Sequence, residues 1–181
     1  MTALLSGVAF RIRTLDDFPQ APDVVEDGIT CEANAIKKAT EIARATGRYA
    51  VADDTGLEVD ALGGSPGAYA ARYAGPGATY EDNCRKLLHE LEGIPQERRT
   101  ARFVTVAALA SPSGEIKTAR GVLEGAIADR CRGKQGFGYD PIFYVPELGR
   151  TLAELTPEEK NRISHRAKAF LKLRDLLQSL A

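Results

Sequence analysis

Two adjacent carboxylates, Asp53 and Asp54, stand where a short apolar run, Tyr49 to Ala52, should end. That run has the length of a strand. Loops at strand ends are where open α/β sheets put their sites. An Asp-Asp pair there can hold a divalent cation and take a proton from water. Thr55 and Gly56 follow, and then a Gly-Gly-Ser-Pro-Gly loop at 63–67. On spacing alone a solvated turn fits slightly better, because Asp and Gly are common turn residues. A second group is Gly136-Phe-Gly-Tyr-Asp-Pro141. Glycines on both sides of Phe137 let the backbone turn tightly, so the ring can stand exposed as a stacking platform for a base. An aromatic plug in the core is the plainer reading. A third group is basic: Lys160, then Ser164, His165 and Arg166. Near a helix N-terminus such residues suit a phosphate or a nucleobase carbonyl, and a solvated basic face is the usual alternative.

These groups need elements to hold them. A chain of 181 residues makes one full domain, and 44% hydrophobic with 27% charged residues is an ordinary globular composition. The net charge of -1 argues against a nucleic-acid-coating surface. Apolar runs such as Val104–Ala110 are too short to span a bilayer, and no signal peptide is visible. Cys31, Cys84 and Cys131 have neither metal spacing nor a disulfide framework, which fits a reducing cytoplasm. Met1–Gly7 reads as the end of a helix, and Val8–Leu15 alternates like a half-buried strand. Glu32–Thr46 has apolar residues at helical spacing and stops at Gly47; Lys38 on its polar side reads as a solvated lysine. With Tyr49–Asp53 this predicts a strand–helix–strand crossover and hence a parallel pair. Thr79–Leu91 is a predicted helix with capping-box-like Thr79 and Asp82. Residues 101–110 and 115–123 predict a hairpin across Ser111–Gly114, and 125–128 another short strand. Thr156, Pro157 and Glu159 start a helix, and Ser164 can cap a second one carrying the stripe Ala167, Phe170, Leu173, Leu177 and Leu180.

Five stretches, in order, carry a resemblance. They are Glu32–Ala39 (EANAIKKA), Ala52–Gly64 (ADDTGLEVDALGG), Tyr69–Gly75 (YAARYAG), Gly136–Pro141 (GFGYDP) and Glu159–Arg166 (EKNRISHR). They are spread along most of the chain, from 32 to 166, and the chain resembles the inosine/xanthosine triphosphate pyrophosphatases. The resemblance implies an α/β fold: a long twisted mixed sheet with flanking helices and two lobes around a central cleft. It implies Mg²⁺-dependent hydrolysis of deaminated purine nucleoside triphosphates (ITP, dITP, XTP) to monophosphate and pyrophosphate. Asp54 matches the family's general base and metal-linked carboxylate, with Asp53 beside it supporting the metal through water. Thr55 matches a substrate-contacting position that is usually Ser. Phe137, Gly138, Tyr139 and Asp140 match the base pocket, and Lys160, His165 and Arg166 match substrate-binding positions. Arginine only donates hydrogen bonds, so Arg166 would pair with a 6-carbonyl and oppose the amino group of adenine. A cytoplasmic homodimer, with no nucleic-acid or membrane partner, is also implied.

Two departures stand out. The family opens with a strand and a Thr-x-Asn-x-Gly-Lys loop that grips the triphosphate. The present sequence matches from the end of the following helix, so a single domain over 1–181, N-terminally incomplete, is expected. The family also commonly has a Glu metal ligand immediately before Asn34, where this chain has Ala33. Glu32, one residue earlier and so about 100° around a helix, is the candidate ligand in its place. The rival expectations are an inactive or weakened nucleotide-binding relative and a pyrophosphatase of other nucleotides.

Overall fold

The computed structural model describes Leu5, Gly7 and residues 9–179. The helix end expected at Met1–Gly7 otherwise lies outside the described residues, as does Leu180 of the last predicted stripe. The described residues form four α-helices: α1 (Cys31–Thr46), α2 (Tyr80–Glu90), α3 (Pro157–Ile163) and α4 (His165–Gln178). Their six strands, β1 (Ala50–Val59), β2 (Pro66–Gly67), β3 (Thr100–Ala110), β4 (Ile116–Ile127), β5 (Phe143–Val145) and β6 (Arg150–Thr151), order as β2-β1-β3-β4-β5-β6. The pairings β1–β2, β4–β5 and β5–β6 are antiparallel. The α/β class therefore holds, with helices accompanying one sheet.

The expected crossover from Val8 to Asp53 is not formed, because residues 9–14 form no strand. Their alternation has a different cause. Phe10 and Ile12 line a groove of about 1080 Å³ shared with Ala50, Val51, Phe170 and Leu177. Phe10 also leans on Tyr49, with ring centroids 6.4 Å apart. One apolar side of this segment is thus partly covered without a hydrogen-bonded ladder. The short strand predicted at 125–128 is instead the end of β4, which runs unbroken from 116 to 127.

Local chemistry sets the helix limits. Thr30 caps α1 by accepting from the Ala33 N–H, and Gly47 ends it in the left-handed region at φ 63°. Thr79 and Asp82 close a capping box on α2, and Thr156 and Glu159 do so on α3. The chain divides into two compact units, and β1, β3 and β4 contribute residues to both. One unit comprises 1–54, 105–121 and 165–181. Its core packs Ala107, Leu109 and Ala119 against Phe170, Leu173 and Leu177 of α4. The other comprises 55–104 and 122–164. Its core gathers Leu57, Leu87, Leu91, Ile127, Ile142 and Phe143, with Phe103 and Phe143 at 4.5 Å between centroids. Each fully buried Leu or Phe contributes about 1.5–3 kcal/mol by leaving water.

Candidate active site

Asp54 lies inside β1 and not beyond its end, because β1 continues to Val59. It is 9% exposed. Alternation along the strand turns Asp53 and Asp54 to opposite faces, so the two carboxylates acquire different partners. Lys38 Nζ lies 3.4 Å from Asp54 Oδ1, and Asn34 Nδ2 donates to Oδ2 at 3.3 Å. Asn34 and Lys38 are four apart on α1 and therefore share a face. Asn34 is itself fully buried, and its Oδ1 accepts from the Gly28 N–H at 2.8 Å. A Cβ on Gly28 would come within 2.6 Å of that oxygen, so the loop approaches only as glycine. Lys38 also pairs with Glu26 at 2.9 Å.

Burial drives the Asp54 carboxyl above the usual carboxylate range, and nearby Glu26 adds to the rise. The Lys38 ammonium and the Asn34 amide oppose it without cancelling it. A carboxylate raised in this way is a stronger base than one in water. Lys38 was expected to be solvated. In the structure its side chain is 20% exposed and joins two carboxylates. The signal for this in the sequence was Asn34, a polar residue beside the apolar stripe of α1 and one turn from Lys38.

Asp53 accepts from Arg166 Nε at 2.9 Å, and its side chain is 9% exposed. Arg166 is the second residue of α4. The first, His165, has Nδ1 2.7 Å from the hydroxyl of Thr105 on β3. One unit therefore holds Lys38, Asp53, Asp54, His165 and Arg166. Glu32 is exposed, and its Oε1 accepts from Thr118 at 3.2 Å. The second acidic residue recorded at the Asp54–Lys38 pair is Glu26.

The other unit holds the aromatic loop and Lys160. Gly136 takes φ 82°, and a Cβ there would lie 2.0 Å from Asp140 Oδ2. That close approach lets Asp140, 3% exposed, accept from the Phe137 N–H at 2.8 Å and pair with Lys160. Tyr139 is buried, and its hydroxyl donates to the Ala70 carbonyl at 2.8 Å. Phe137 is left 61% exposed, so the reading as a core plug fails. Lys160 Nζ sits 4.7 Å from the Phe137 ring centroid, and Tyr80 flanks the ring at 6.3 Å. Gly138 follows at φ 61°, a conformation that favours glycine. Thr55, next to Asp54 on β1, is half-buried.

Against known families, the Ham1 profile matches residues 1–176. The chain belongs to the Ham1 family. A dITP/XTP pyrophosphatase of Geobacter sulfurreducens is 52% identical over 177 residues, 98% of this chain and 89% of that protein. The dITP/XTP pyrophosphatase of Bacillus subtilis is 47% identical over 176 residues, 97% of this chain and 89% of its own. A HAM1 protein from Coxiella burnetii superposes with a TM-score of 0.91 at 43% identity, covering 98% of this chain and 91% of that one. The solved Coxiella burnetii relative thus shares the fold. Among the described residues of this Ham1 chain, no three of His, Cys, Asp and Glu converge as a ready-made metal cage. No described helix is long and apolar enough to cross a membrane.

Proposed function

We propose that this protein hydrolyses deaminated purine nucleoside triphosphates (dITP, ITP, XTP) to the monophosphate and pyrophosphate, using Mg²⁺. The observation that carries the reading is the Asp54 carboxylate. It is buried, held by Asn34 and Lys38, and raised in basicity by its surroundings. The curated relatives' activity points the same way. Asp54 accepts a proton from water as the water oxygen bonds to the α-phosphorus. The bond from that phosphorus to the β-bridging oxygen breaks, and pyrophosphate leaves with the electron pair. Lys38 and Asn34 keep the carboxylate oriented. Arg166 brings a planar set of N–H donors, one of them fixed on Asp53. Phe137 offers an exposed ring face for the base, braced by Lys160.

The donor chemistry fits the metal. Mg²⁺ takes hard oxygen ligands, commonly one or two carboxylates together with substrate phosphates. Asp54 would supply one, and Glu26 or Glu32 is the candidate second. When bound, Mg²⁺ neutralises phosphate charge and helps orient the attack. The three free cysteines suit a cytoplasmic setting, and the family resemblance is the support for a homodimer.

The test is product analysis in ¹⁸O water with dITP and Mg²⁺. The expected products are dIMP carrying the label and unlabelled pyrophosphate. The nucleoside diphosphate dIDP with inorganic phosphate, or label in the pyrophosphate, would sink the proposal.

A further inference from the structure

We propose that Thr105 is a positioning residue for His165, fixing the imidazole that meets the substrate. This rests on the function proposed above. Thr105 is 0% exposed in β3, in a run that continues as Ala107, Ala108 and Leu109. A hydroxyl buried among such residues is unfavourable unless it is hydrogen-bonded. Valine has the same shape and would pack there at no such penalty. The hydroxyl instead meets His165 Nδ1 at 2.7 Å.

A second observation fixes the backbone of the same residue. A Cβ on Gly121 of β4 would lie 2.1 Å from the His165 carbonyl oxygen and 2.5 Å from the Ala169 nitrogen. The first turn of α4 is therefore seated directly on the sheet. A third contact is adjacent: Asp53 of β1 holds Arg166. Three strands thus each supply one contact to two consecutive residues: Gly121 seats the helix, Thr105 sets the ring, and Asp53 aims the guanidinium.

The chemical consequence concerns the ring's other nitrogen. In neutral imidazole one nitrogen donates and the other accepts. A hydroxyl can donate to Nδ1 or accept from it, so what the contact fixes is the plane of the ring and the direction in which Nε2 points. The substrate then meets Nε2 at one defined position.

The chain has two histidines, so the imidazole ¹⁵N spectrum is simple. His89→Gln assigns it, since His89 is exposed and pairs only locally with Glu92. At alkaline pH, wild-type His165 should give ¹⁵N shifts displaced from those of a free imidazole by the Thr105 hydrogen bond. Thr105→Val should move them toward the averaged pattern of a free imidazole, and Thr105→Ser should restore them. KM for dITP should rise about 3- to 10-fold in Thr105→Val, the scale of one hydrogen bond, with kcat changed less. Thr105→Ala replaces Thr105→Val if the latter does not fold. Unchanged ¹⁵N shifts in Thr105→Val would overturn the proposal, and so would shifted resonances with an unchanged KM. Failure of the proposed function would show separately, as wild-type protein inactive on dITP. The spectra would then still decide whether Thr105 holds the ring.

Discussion

Asp54 and its neighbour Asp53 differ only in which face of β1 they occupy, and that separates their chemistry. Asp54 looks to Lys38 and Asn34, whereas Asp53 is committed to Arg166. In Asp54→Asn the shape and the Asn34 contact survive, but the base does not. Turnover of dITP should fall about 10²- to 10⁴-fold, measured at saturating Mg²⁺ and substrate. Stability should not fall with it. The folded protein raises the Asp54 pKa, so this group stabilises the fold below its unfolded pKa. That contribution is lost as pH rises through the folded value. At neutral pH without metal, Asp54→Asn should therefore melt at or above the wild-type temperature. A large drop in melting temperature with near-normal turnover would remove Asp54 from the mechanism. Lys38 shows the same lesson from the other side. A lysine on a polar helix face is usually solvated, but here Glu26 ahead of α1 and Asp54 on the returning β1 both claim it.

At the scale of elements, the seating of α4 on β4 is the contact with least tolerance. The atoms facing Gly121 belong to backbone, which cannot rotate aside. Gly121→Ala should cost about 1–3 kcal/mol, the usual range for overpacking, read from the urea midpoint. It should also lower activity by displacing His165 and Arg166, the first two residues of α4. An unchanged midpoint would show that α4 is not held this closely. The aromatic loop is built on a different principle. Its rigidity comes from one buried carboxylate, Asp140, which serves the Phe137 N–H and Lys160 together. Phe137 needs no packing of its own to stay presented.

At the scale of the whole molecule, base choice and accessibility are the measurable properties. If Arg166 reads the 6-carbonyl, kcat/KM should be much higher for ITP than for ATP, and Arg166→Ala should shrink that ratio more than it lowers ATP hydrolysis. Equal efficiencies for ITP and ATP in the wild type would refute the assignment. The cysteines report on packing. Burial pushes the Cys84 thiol up to about 12. A group so raised carries almost no thiolate at pH 8. Cys131 is exposed. An alkylating reagent should therefore modify Cys131 rapidly, and Cys84 only when the protein unfolds. Early modification of Cys84 would show that the core around Leu87 and Tyr139 opens in the native state.

The sequence alone determined the helices and, through its motifs, the family. Capping pairs Thr79–Asp82 and Thr156–Glu159, the stop at Gly47 and the helix break at Ser164 are local hydrogen-bonding and backbone rules. They were legible because they act over three or four residues. The motifs around Asp54, Phe137 and Arg166 were legible for another reason, because five short patterns in order specify a family. Tertiary structure decided what each residue touches. Residues 9–14 alternate like a strand, but a strand needs a partner's hydrogen bonds, and their apolar side chains line a groove instead. Glu26 gave no signal, Lys38 only the indirect one of Asn34 a turn away, and Thr105 none. Their partners lie 28, 16 and 60 residues away, and no local rule sets such distances: Glu26 and Lys38 converge on Asp54, and Thr105 meets His165.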